Sequence, residues 1–195
     1  METVYEMRIL LIIGVPLWII VRGTILFLKK RNGFKVNLYK EILTNVFVLY
    51  LFMLIGITIF PICIGDAINY LPDMSIYEKY NINLIPFIDY LKNKVSFKVL
   101  IKNIGGNLLL LSPFILYLCI RFKTVRNLKV CLLISFLISL SIELTQLIMN
   151  ILSLTYLRAV HIEDLILNTL GGLITYYIFN KYINLSSATK YISQF

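Results

Sequence analysis

Charge is what this sequence is short of. Only 15% of its 195 residues are charged, while 59% are hydrophobic and mean hydropathy is +0.84. A soluble domain carries about 25% charge, so the shortage places the chain in lipid. Cysteine is also scarce. Cys63, Cys119 and Cys131 are an odd number without a CxxC pair, and each falls in or at the end of an apolar run. They read as small buried apolar residues, and neither a disulfide nor a metal site is expected. His161 is the single histidine, which excludes a histidine cluster. The N-terminus, Met1-Glu2-Thr3-Val4-Tyr5-Glu6, lacks a basic segment, and no small-residue cleavage site follows the first apolar run. That run is expected to be retained rather than removed as a secretory signal. Walker loops, HExxH, nucleophile motifs, Asp-rich metal pairs, internal repeats and low-complexity stretches are all missing, and no cofactor is expected.

What is present is a series of apolar runs. A membrane helix needs roughly 20 apolar residues, and five stretches qualify: about 7–28, 43–64, 101–122, 129–150 and 163–183. The expected fold is an all-α polytopic membrane helix bundle with five transmembrane helices, forming a single domain over residues 1–195. Its long connection spans about 65–100. The formal net charge of +9 does not point to nucleic acid, because the basic residues gather in two short loops. Lys29, Lys30, Arg31, Lys35 and Lys40 lie in the first, and Arg121, Lys123, Arg126 and Lys129 in the third. The positive-inside rule makes both loops cytoplasmic. The N-terminus is then outside, the C-terminus cytoplasmic and the 65–100 loop extracytoplasmic. Arg22, inside the first run, is expected to snorkel to the cytoplasmic face rather than stay buried.

Polar residues inside the runs carry the functional signal, because ionisable groups at membrane depth are costly. At 100° per residue, Ser135, Ser139, Glu143, Gln146 and Asn150 fall within about 80° of arc. His161, Asp164, Asn168 and Thr175 fall within about 60° on the last run. Asn103 and Asn107 are again four apart. Such stripes must face protein or water, so three of them on consecutive helices are expected to face one another. In the expected topology Asp164 lies near the outer surface. Asn107 and Asn168 lie roughly one to two turns below it and Glu143 roughly 10 Å in, at 1.5 Å per residue. The candidate ligand site is therefore Asn107, Glu143, Gln146, Arg158, His161, Asp164 and Asn168. Gly106, Gly171 and Gly172 are candidates for close helix packing.

Four blocks carry a family resemblance. They are Asn83-Leu84-Ile85-Pro86-Phe87, Gly106 through Phe114, Ser141-Ile142-Glu143-Leu144-Thr145-Gln146, and Arg158 through Asp164 with Asn168, Gly171 and Gly172. In this order they resemble the VanZ-like membrane proteins over residues 43–180. Two departures stand out: His161 and Glu163 replace acids of an Asp-Ile-Asp-Asp run, and Thr175 stands where Gly is common. The resemblance implies a small multi-pass protein of a bacterial cell membrane. The founding role is lowered sensitivity to teicoplanin, a glycopeptide with a lipid tail.

Three functions compete. The first is a non-enzymatic envelope protein whose outward polar site meets membrane lipids, an amphiphilic antibiotic or a lipid-linked cell-wall precursor. The second is an intramembrane enzyme on a lipid-linked substrate, with Glu143 or Asp164 as acid or base. The third is a small transporter subunit, against which the lack of a repeat argues.

Overall fold

The computed structural model describes residues 3–64, 82–87, 96–152, 154 and 160–185. Arg158 and most of the 65–100 connection lie outside the described residues. The chain forms two compact units, residues 1–66 and 67–195.

The first unit is a helical hairpin. Helix α1 spans Met7–Arg31 and α2 spans Leu38–Ile59. Strand β1 (Thr3–Tyr5) pairs antiparallel with β2 (Ile62–Ile64) across the open end. Lys29, Lys30 and Arg31 fill the last turn of α1, where cations complement the helix dipole. The chain then reverses through Gly33 at φ +75°, a left-handed conformation that a side chain would strain. The Gly33 amide donates to the Lys30 carbonyl at 3.1 Å.

α2 begins five residues before the expected run. Asn37 caps it, its side-chain oxygen accepting from the Lys40 amide at 3.2 Å. The earlier start takes Glu41 into the helix and corrects the expectation for Arg22. Arg22 does not snorkel. Its guanidinium donates to Glu41 through Nε at 2.7 Å and also through Nη2, with both side chains mostly buried. Lys29 Nζ stands 3.8 Å from the other Glu41 oxygen. Trp18, beneath the Arg22 guanidinium, donates its indole N–H to Asn45 at 2.9 Å.

The second unit is built around its last helix. Helices α3 (Phe97–Leu110) and α4 (Ser112–Arg121) follow one course, interrupted at Leu111. Pro113 has no N–H to give to the preceding turn, which accounts for the interruption. A short 3₁₀ turn at Lys123–Arg126 leads to α5 (Leu128–Ile151), which Asn127 caps through Lys129 at 2.9 Å. Arg126 donates back to the Cys119 carbonyl at 2.8 Å and satisfies the end of α4. Helix α6 (Ile162–Leu185) packs against α3, α4 and α5. Strand β3 (Ile82–Asn83) pairs in parallel with β4 (Val160–His161) just before α6.

Among the described residues, four helical stretches are long and apolar enough to cross a membrane: Met7–Arg31, Leu38–Ile59, Phe97–Arg121 and Leu128–Ile151. The fifth, α6, has 24 residues, about 36 Å at 1.5 Å each, and is more polar. It can be so because three neighbouring helices pack against it and cover its polar face, while Ile166, Leu170, Ile174 and Ile178 stay exposed. Burial on α5 is inverted relative to a soluble protein. Ser135, Ser139, Glu143, Gln146 and Asn150 are buried, while Leu132, Leu133, Phe136, Leu137, Leu144 and Ile148 are exposed. Water would penalise each exposed Leu by about 2 kcal/mol, whereas hydrocarbon accepts them freely. The helix is therefore built for lipid outside and polar contacts inside.

Candidate functional site

The site lies in the second unit, where the antiparallel helices α5 and α6 meet in a regular register. Ser139 accepts from the Asn168 side-chain amide at 3.2 Å, and its own hydroxyl donates to the Leu165 carbonyl at 3.5 Å. Four residues along α5 and four back along α6, Glu143 comes opposite the start of α6. There it interacts with Asp164 and accepts from the His161 backbone N–H. Four residues the other way, Ser135 lies against Gly172. Each step of four is about 6 Å along the axis, so polar side chains on the two helices meet turn after turn.

Two glycines allow this closeness. A Cβ on Gly171 would overlap the Leu108 carbonyl oxygen and stand 2.7 Å from its carbon. A Cβ on Gly172 would overlap the Ser135 hydroxyl and stand 2.8 Å from Ser135 Cβ. Gly106, the third glycine expected at a close helix contact, is different. It is exposed, and a Cβ there would meet nothing within 4 Å among the described residues, because α3 turns that face away from its neighbours.

At the head of α6, three carboxylates gather: Glu143, Glu163 and Asp164. Glu163 and Asp164 occupy the first helical turn, where the unsatisfied N–H groups favour negative charge. Asp164 is partly exposed and accepts from the Asn107 side-chain amide of α3. Asn107 thus lies level with Asp164 rather than with Asn168, which bonds Ser139 one turn further along. Its stripe partner Asn103 is exposed. Glu163 is only 2% exposed and accepts from the Phe87 backbone N–H at 2.6 Å. The His161 ring stands 3.6 Å from the other Glu163 oxygen, an ion pair whenever the imidazole is protonated.

Phe87 follows Pro86 and has φ +60°. A bulky residue in the left-handed region costs on the order of 1–3 kcal/mol and persists where its surroundings hold it. Here the β3–β4 pairing, with Asn83 opposite His161, and the bond to Glu163 supply the hold. The 83–87 block and the 160–164 block are thereby fastened together.

Two acceptor atoms at the centre are left over. Glu143, 6% exposed, and Asn168, 1% exposed, each keep one side-chain oxygen (Oε2 and Oδ1) without a hydrogen bond among the described residues. Gln146 and Asn150 are buried further along α5. Thr175, on the α6 stripe, donates to the Gly171 carbonyl of its own helix at 2.9 Å. Among the described residues, no three His, Cys, Asp or Glu side chains are grouped so as to hold a metal ion. Sequence reasoning did not select Glu163, Phe87 or Ser139 for the site. The signals were an acid adjacent to Asp164, a Pro-Phe turn in the outer loop, and a serine one turn from Glu143.

Comparison with known proteins gives one match. The VanZ/LLP1 family profile matches residues 47–184, which include α3 through nearly all of α6 and every candidate residue. Neither the curated proteins nor the solved structures gave a match.

Proposed function

This chain belongs to the VanZ/LLP1 family, and from that premise we propose that it lowers sensitivity to teicoplanin-type lipoglycopeptides at the cell envelope, through an outward-facing polar site within the membrane around Asp164 and Glu143. The observation that carries the reading is the gathering of Glu143, Glu163 and Asp164 where α3, α5 and α6 meet beneath the Phe87 turn. Charges buried at membrane depth are functional-site candidates by default. The basic loops 29–40 and 121–129 favour the cytoplasm, which directs the head of α6 outward. A lipid-tailed glycopeptide, or a lipid-linked cell-wall precursor, would present its polar group at that depth.

The test is susceptibility to teicoplanin and to vancomycin in a Gram-positive host. It compares wild type, Asp164→Ala and Glu143→Ala at matched membrane abundance. The expected outcome is selective protection against teicoplanin that either substitution abolishes. Equal susceptibility of all strains, including the empty vector, would remove the reading.

A further inference from the structure

We propose that the group this site takes is a primary ammonium carried on an amphiphile. The inference rests on the envelope-binding reading above and narrows its ligand class. It follows from counting donors and acceptors. Among the described residues each carboxylate is held by one protein N–H: Asp164 by the Asn107 amide, Glu163 by the Phe87 backbone and Glu143 by the backbone of His161. A carboxylate has room for about four hydrogen bonds. Leaving aside the His161 ring beside Glu163 and the Ser135 hydroxyl against Gly172, the buried atoms without a hydrogen bond among the described residues, Glu143 Oε2 and Asn168 Oδ1, are both acceptors in side chains more than nine-tenths buried.

Among the described residues the surplus is therefore of oxygen lone pairs and of negative charge. A phosphate or carboxylate would add more of both and be repelled. A quaternary ammonium brings charge but no N–H to fill the empty acceptors. A primary ammonium brings one positive charge, three donors and no acceptor, which is the complement of what is missing. Partly exposed Asp164 stands at the entrance and nearly closed Glu143 behind it. Asn168 lies about 6 Å further along α6. An ammonium on a lipid-like tail can enter from the bilayer while its tail remains among the exposed leucines.

Two sources share this chemistry: an aminophospholipid headgroup and the free amine of a lipoglycopeptide. The experiment measures binding to the purified full-length protein by native mass spectrometry and thermal melting in micelles. Its probes are dioleoylphosphatidylethanolamine, its mono- and dimethylated forms, phosphatidylcholine and phosphatidylglycerol, all with matched acyl chains. A second arm adds an amine-bearing lipoglycopeptide and its N-acetylated form to protein in phosphatidylcholine nanodiscs.

The expected result is affinity falling at least tenfold from the primary amine to the quaternary one, in graded steps. Alternatively, the lipoglycopeptide loses at least tenfold on acetylation. The arm that responds identifies the source. Glu143→Gln should flatten whichever series responds. Equal binding across both series, preference for phosphatidylglycerol, or saturation of the effect by NaCl but not by choline chloride would each overturn the proposal. The wild-type methylation and acetylation series carry the test even if the variant fails to fold. Amine selectivity without any change in teicoplanin susceptibility would remove the antibiotic reading and uphold this one. Altered susceptibility without amine selectivity would do the reverse.

Discussion

The two units handle buried charge in opposite ways. In the hairpin, Glu41 meets Arg22 in two hydrogen bonds and Lys29 at 3.8 Å, and Trp18 meets Asn45. Positive and negative groups balance, and donors find acceptors. In the bundle, three carboxylates share one imidazole among the described residues, and buried oxygens of Ser135, Glu143 and Asn168 stay unfilled. The first arrangement needs nothing further and holds two helices together. The second is incomplete among the described residues, and in the reading proposed above an outside ammonium completes it. An ionisable residue in a membrane helix is thus no guide to a binding site by itself. The bookkeeping around it is.

Breaking the balanced side should have the largest effect. Glu41→Leu leaves Arg22 buried without its partner and should cost about 3–5 kcal/mol, while Arg22→Met with Glu41→Leu should recover most of it. Melting of the three purified proteins tests this. Equal stability of the single and double variants would mean that the pair does not hold the hairpin. Gly171→Ala comes next. It drives a methyl into the Leu108 backbone and should cost about 1–3 kcal/mol, read as a lowered melting midpoint. Gly106→Ala, facing open space, should change it little.

On the unbalanced side the expected losses shrink. Glu163→Ala removes the acceptor of the Phe87 amide and should cost about 1–2 kcal/mol. It should also expose the 82–87 turn to protease, and an unchanged cleavage pattern would mean the turn is held by the strand pairing alone. Glu143→Gln is the sharpest contrast. It removes a buried carboxyl with no cation partner among the described residues, so stability should fall by less than about 1 kcal/mol or rise, since an unpaired buried acid is itself a burden. A loss as large as that of Glu41→Leu would erase the distinction between the two units.

Much of this was legible in the sequence. The helices follow from runs of about 20 apolar residues. α2 was displaced by five residues because its start is set by the Asn37 cap rather than by hydropathy, and that shift hid Glu41 as the partner of Arg22. The break at Leu111 was written in Pro113 but concealed by the unbroken apolar run. The stripe on α5 could be drawn by angle alone, and all five of its residues are buried. The α3 stripe shows the limit of angles. Asn103 and Asn107 share a face, yet only Asn107 reaches α6. The parallel β3–β4 pairing joins residues 78 positions apart, and no local periodicity announces it. The bond from the Phe87 amide to Glu163, made across that pairing, was therefore out of reach.

The inverted burial of α5 changes what the helix can tolerate. In a soluble protein, core leucines are the positions least free to vary and surface serines the most free. Here the leucines ask only for an apolar body of any shape, because fluid hydrocarbon has no fixed contour to match. The specification of the bundle resides instead in two serines, a glutamate, a glutamine and an asparagine. A saturation scan of residues 128–151 should read as the negative image of a soluble helix: permissive to hydrophobic exchange along the leucines, and exacting at Ser135 and Ser139, where a single added methylene has no room.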